Sequence, residues 1–106
     1  MADAESLMAG MRKRADALRT LGYRVRFDLK DTEESILLDA TGGGAPSVEA
    51  ATEADEADTV LRLSAADLEK LMQGRLSPML AFSTGRLRVE GSKGVAMKLA
   101  GLLDEG

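Results

Sequence analysis

Tyr23-Arg24-Val25-Arg26-Phe27-Asp28-Leu29-Lys30 is the stretch on which the fold class turns. Tyr23, Val25, Phe27 and Leu29 fall at every second position and alternate with Arg24, Arg26, Asp28 and Lys30. That is the period of a half-buried strand. The residues just before it obey another period. Leu7, Met11, Ala15, Leu18 and Leu21 recur at intervals of four, four, three and three, which is one face of a helix over residues 4–21. Gly22 ends that helix and the strand follows.

Downstream, a turn over 31–33 leads to a second strand over 34–40 with Ile36 and Leu38 on one face. Gly42-Gly43-Gly44 permits a reversal, and a weaker strand follows near 47–52, resting on Val48 and Thr52. The acidic stretch 53–58 lacks the glycine and the distal glutamate of a calcium loop, so it reads as a solvated loop, and no metal site is expected. Thr59–Leu63 alternates again. Ser64 with Asp67 three residues on is a variant capping box, opening a helix with Leu68, Leu71 and Met72 on one side that stops at Gly74. Ser77-Pro78 opens a short helix carrying Met79, Leu80 and Phe82 and ending at Gly85. Leu87 and Val89 mark a last strand. Gly91-Ser92 turns the chain into a final helix with Val95, Leu99 and Leu102 on one stripe. The order α-β-β-β-β-α-α-β-α, with hairpin-length links among the early strands, predicts one α+β domain over residues 1–106 with a mainly antiparallel sheet and helices on one face.

Composition narrows the chemistry. The 106 residues contain no Cys and no His, so a disulfide framework, a thiolate nucleophile and a Ser-His-Asp triad are all excluded. Asp67 and Glu90 are the remaining carboxylates worth weighing for catalysis. The first is explained as part of a helix cap and the second as an outward strand residue, so no enzyme and no cofactor is expected. Among the larger hydrophobic residues Leu and Met dominate, and the only aromatics are Tyr23, Phe27 and Phe82. Such unbranched, soft side chains fill irregular spaces and repack readily.

The net charge of −4 hides a segregation. Residues 31–61 hold nine acids and no base, whereas residues 62–98 hold seven bases and three acids. An acidic middle with few aromatics argues against a nucleic-acid partner. Arg86, Arg88, Lys93 and Lys98 form a candidate patch for transient contact with anionic lipid headgroups. No run approaches the roughly 18 apolar residues of a membrane span. Asp3 and Glu5 before any base are unlike a secretory leader, and Asp104-Glu105-Gly106 is neither a peroxisomal address nor a prenylation box. The chain reads as a soluble cytoplasmic protein.

Ala57-Asp58-Thr59-Val60-Leu61-Arg62-Leu63-Ser64, Asp67-Leu68 and Leu71-Met72-Gln73-Gly74-Arg75-Leu76-Ser77-Pro78 together resemble the sterol carrier protein-2 (SCP2) family. The likeness continues through Ala81-Phe82-Ser83-Thr84-Gly85-Arg86-Leu87-Arg88-Val89-Glu90-Gly91 and closes with Ala96-Met97-Lys98-Leu99. The second half carries it specifically; the first agrees in pattern. This chain has Ser92 where the family often has Asn or Asp, no aromatic in Ser35-Ile36-Leu37-Leu38, and no peroxisomal tail, which suits a bacterial-type, stand-alone member.

The resemblance implies a five-stranded, mainly antiparallel sheet whose helices cover one face and enclose an apolar tunnel. It implies a non-catalytic carrier of fatty acids, acyl-CoA, sterol-like or isoprenoid lipids. Candidate tunnel walls are Phe27, Leu71, Met72, Leu76, Met79, Leu80, Phe82, Val95, Met97 and Leu99. The alternative is an interaction or accessory module whose pocket is collapsed. Gly94 and Gly101 lie inside the last helix, each costing about 1 kcal/mol relative to Ala, and would loosen it for ligand passage.

Overall fold

The computed structural model describes residues 3–104. Glu105 and Gly106 of the C-terminal tripeptide discussed above lie outside the described residues. The elements are α1 (Ala4–Lys13), α2 (Ala15–Leu18), β1 (Arg24–Leu29), β2 (Ser35–Asp39), β3 (Ser47–Ala51), β4 (Thr59–Leu63), α3 (Ala65–Met72), α4 (Pro78–Ser83), β5 (Arg88–Gly91) and α5 (Lys93–Asp104). This is the expected order with one correction: the first helix is broken in two. Arg14, at φ −100° and ψ 18°, leaves the helical region, and its N–H bonds Met11 O at 3.0 Å in a tightened turn. A straight helix over residues 4–21 would run about 27 Å. The break instead folds Leu18 and Leu21 back into the core, where both are buried.

The sheet order is β3-β2-β1-β4-β5. Three pairings are antiparallel, and β1 with β4 is parallel, so the sheet is mixed. The register explains why. The three-strand meander leaves β3 ending at Ala51, level with Asp28 at the far end of β1. β4 must begin level with Val25, so the segment between β3 and β4 has to return along the sheet. It does so across the polar face: Arg26 donates to the carbonyl oxygens of Glu53 and Asp55, both at 2.8 Å.

That crossing corrects one expectation. β1 is buried on both faces rather than half-buried, while the acidic segment, a loop with Glu53, Glu56 and Asp58 exposed, lends two of its carbonyls to Arg26. Tyr23 falls outside β1 and is exposed. On the polar face Arg26 Nε lies 2.8 Å from Asp28, Arg62 bridges Asp28 at 3.7 Å and Glu90 at 2.7 Å, and Arg24 lies 3.6 Å from Asp39. Two buried ionic side chains are tolerable because both carboxylate oxygens of Asp28 receive hydrogen bonds, from Arg26 and Ser35.

The apolar face carries the core. Ile36, Phe27, Leu61 and Val89 stand opposite one another across β2, β1, β4 and β5. Leu7 and Met11 from α1, Leu68 and Leu71 from α3, and Ala96, Leu99 and Leu103 from α5 close over this row. Gly91 ends β5 at φ +96°, and a Cβ there would stand 2.6 Å from the Asp58 carbonyl oxygen. Only glycine satisfies both demands.

Candidate functional site

The two helical starts that position the site form as their sequences dictate. Ser64 Oγ accepts from the Asp67 N–H at 3.0 Å and opens α3; Ser77 Oγ accepts from the Leu80 N–H at 3.5 Å, with Pro78 in the first turn of α4. Between them, Gly74 at φ +71° turns the chain. The link Gly74–Ser77 and the start of α4 therefore lie beside the C-terminal half of α5.

A cleft of about 370 Å³ opens there, lined by Leu71, Gly74, Arg75, Leu76, Ser77, Pro78, Ala100 and Gly101. Its volume is within the range of small-molecule sites. Leu71, Leu76 and Ala100 are buried, and a Cβ added at Gly101 would meet nothing within 4 Å. The rim brings one cation, Arg75, and the Ser77 hydroxyl to a mostly apolar space. Chemically it can bury an alkyl chain and meet an anionic or polar head.

The ten candidate wall residues separate into four groups. Leu71 and Leu76 share this cleft. Phe27, Val95 and Leu99 are buried in the adjoining core, with Met97 half-buried on α5. Met72 turns to the opposite side of α3, over Gly10, where a smaller cleft is lined also by Leu7, Arg14 and Gln73. Met79, Leu80 and Phe82 stand at the surface, 69%, 55% and 37% exposed. Sequence reasoning missed Pro78, Ala100 and Gly101 as lining. The signal available was small residues interrupting a Leu-rich helical stripe, since what shapes the cleft is missing side-chain volume.

Of the basic patch, Arg86, Arg88 and Lys93 are exposed near the β5 edge, and Lys93 Nζ lies 5.1 Å from the Phe82 ring centre. Lys98 points elsewhere and donates to the Thr20 carbonyl oxygen at 3.1 Å. Across the molecule, a larger cleft of about 590 Å³ lies on the polar sheet face, lined by Asp28, Lys30, Glu33, Glu34, Glu53 and Arg62 among others. Its charged walls do not suit an apolar ligand. Burial pushes the Asp28 carboxyl up. Hydrogen bonds from Arg26 and Ser35, with the charges of Arg26 and Arg62, outweigh that and hold it below the ordinary carboxylate value.

Among the described residues no group of three or more carboxylates is placed to hold a metal ion, and no helix is long and apolar enough to cross a membrane. Of the two carboxylates weighed for catalysis, Glu90 pairs with Arg62, whereas Asp67 enters the α3 cap through its main-chain N–H, which donates to Ser64 Oγ.

Comparison with known proteins agrees with this fold. "Hydroxysteroid dehydrogenase-like protein 2" of Bos taurus is 37% identical over 51 residues, which is 48% of this chain and 12% of that protein. The chain thus spans only a small part of the length of such relatives. The structure of sterol carrier protein 2 from Yarrowia lipolytica in its apo form superposes with a TM-score of 0.69 at 24% identity, covering 95% of this chain and 86% of that one. A protein described as "UbiJ-SCP2 Ubiquinone synthesis protein" superposes equally, with a TM-score of 0.69 at 21% identity, covering 99% of this chain and 94% of that one. The model of the SCP-2 sterol transfer family matches residues 4–104, and the chain belongs to that family.

Proposed function

We propose that this chain is a non-catalytic lipid carrier acting in the cytoplasm. Its cargo would be a fatty acid, acyl-CoA, sterol-like or isoprenoid lipid, taken up between α5 and the α3–α4 corner. The observation that carries the reading is the apolar cleft beneath Pro78, floored by Leu71, Leu76 and Ala100 and open above Gly101. Helix α4, which roofs it, buries only Ala81 and is free to move at little cost in packing. In this reading Phe27, Leu71, Met72, Leu76, Val95 and Leu99, with half-buried Met97, are the walls of an apolar tunnel reached as α4 and α5 part. Met79, Leu80 and Phe82 form the lip that the ligand crosses.

Binding draws on burial of methylene groups, about 0.8 kcal/mol each before ordering costs. Loose selectivity follows from walls of Leu and Met, which repack around varied apolar shapes. Arg75 at the rim supplies a cation for a carboxylate or phosphate head. No proton transfer is required, which suits a chain whose Asp28 and Glu90 carboxylates are engaged in ion pairs.

The test is native mass spectrometry of protein purified from cells, together with titration by a fluorescent fatty acid. Co-purified lipid or saturable probe binding supports the carrier. A protein that arrives lipid-free and never saturates is instead an accessory module with an unused pocket.

A further inference from the structure

Three helix ends converge on the half-buried side chain of Arg14. Its Nε donates to Leu103 O, its Nη2 to Met72 O and its Nη1 to Gly10 O, all at 2.7–2.9 Å. Leu103 lies in the last turn of α5, Met72 closes α3, and Gly10 lies in the last turn of α1. Among the described residues no carboxylate pairs with this cation. The whole fork is committed to main-chain oxygens at the negative ends of helices.

Two of these ties concern the cleft. Leu71 and Met72 are neighbours on α3 that face different ways. Leu71 lines the cleft with Ala100 and Gly101 of α5. Met72 seats α3 on α1, its terminal methyl standing 2.5 Å from where a Cβ at Gly10 would be. Ala100 and Gly101 are in turn within one helical turn of Leu103. Arg14 thus joins the two helices that wall the cleft, yet it is absent from the lining and would not touch a ligand. Lys98 holds α5 a second time, through Thr20 O at 3.1 Å. Helix α4 has no comparable anchor and buries only Ala81.

We propose that Arg14 is a positioning residue for lipid exchange. By pinning the ends of α3 and α5 to α1 it fixes the width of the Leu71–Gly101 cleft and leaves α4 as the moving part. Parting α3 from α5 would strip Met72 O or Leu103 O of its partner, whereas lifting α4 uncovers one small buried side chain. This role rests on the carrier reading and deepens it: the rate at which a bound lipid leaves is set by a residue that the lipid never meets.

Stopped-flow release of a fluorescent fatty acid into excess unlabelled fatty acid tests the role, with each variant shown to be folded by circular dichroism. Arg14→Ala opens a route between α3 and α5 and should release the probe roughly tenfold faster than the wild type. Arg14→Lys, which keeps the charge but not the fork, should fall between the two, and it carries the test alone if the Ala variant does not fold. Asp28→Asn is the control for lost stability, because Asp28 lies on the opposite face of the sheet and touches none of these helix ends; it should release the probe at the wild-type rate. Wild-type rates in the folded Arg14 variants, or equal acceleration by Asp28→Asn, would overturn the role of Arg14 and leave the carrier standing. A wild-type protein that never binds the probe would end the carrier reading, and the role of Arg14 with it.

Discussion

Arg14 donates through Nε to the main-chain carbonyl oxygen of Leu103 at 2.7 Å, joining residues 89 positions apart. The same guanidinium donates to Gly10 O and Met72 O, each at 2.9 Å. Met72 ends α3 and Leu103 lies in the last turn of α5, so one planar cation satisfies carbonyls that helix ends leave without partners. Arg14→Ala should therefore destabilise the fold by about 2–3 kcal/mol. For a chain of this size that lowers Tm by roughly 10 °C or more. Arg14→Lys keeps the charge without the fork and should recover less than half of the loss. Amide exchange should quicken in α5 ahead of the sheet. Unchanged α5 protection in a destabilised Ala variant would show that the tie to Leu103 is not what holds this helix.

The Asp28–Arg26 pair predicts a particular response to acid. Asp28 has its carboxyl pKa depressed in the folded chain. Its contribution to stability is therefore complete above about pH 5, begins to fade near the unfolded value of about 3.9, and is gone once the pH falls below the folded value. Asp28→Asn should lose about 3 kcal/mol at neutral pH, because Arg26 keeps its carbonyl partners but loses its counter-charge. Its stability should also fall less steeply below pH 4. Asp39, depressed by hydrogen bonds from Thr41, keeps some of that slope in the variant. Urea titrations at a series of pH values measure both effects, and an acid limb as steep as that of the wild type would contradict the assignment to Asp28.

Gly91 and Thr59 face each other where β5 meets β4. Gly91→Ala forces a side chain into positive φ and sets its Cβ against the Asp58 carbonyl oxygen. The expected loss is about 2–3 kcal/mol, with faster exchange at Val60 and Arg62. Gly85 also has positive φ but no neighbour within 4 Å, so Gly85→Ala should cost less. Equal losses at the two positions would mean that backbone strain alone, and not the close approach to β4, governs Gly91.

Elements whose cause is local were legible in the sequence. Ser64, Ser77-Pro78, Gly85 and Gly91 punctuate the second half, and the strands and helices fall between them as read. The misses have distant causes. The break at Arg14 leaves the three-and-four spacing through Leu18 and Leu21 in phase, so no local pattern marks it. Nothing in segment 53–58 announces that its carbonyls serve Arg26, a residue in another strand. Met79-Leu80-Ala81-Phe82 is apolar at every position, which hides that Ala81 is the one turned inward. The family resemblance directed attention to Leu71 and Leu76, but the lining at Gly101 is an absence of side chain and leaves no hydrophobic signal.

That absence supplies the sharpest check on the cleft. Gly101 lies in α5, lines the cleft and is exposed, and a Cβ there would meet nothing within 4 Å. Gly101→Leu should stabilise the helix by about 1 kcal/mol through propensity alone. It should at the same time fill the space above Leu71 and Leu76 and weaken fluorescent fatty acid binding roughly tenfold, the loss expected when a few methylenes no longer fit. Gly94 provides the control, since a Cβ there meets only Ser92 Oγ at 3.7 Å, outside the cleft. Gly94→Ala should raise Tm and leave probe affinity unchanged. A stabilised Gly101→Leu protein that binds the probe as tightly as the wild type would place the ligand somewhere other than between α5 and the α3–α4 corner.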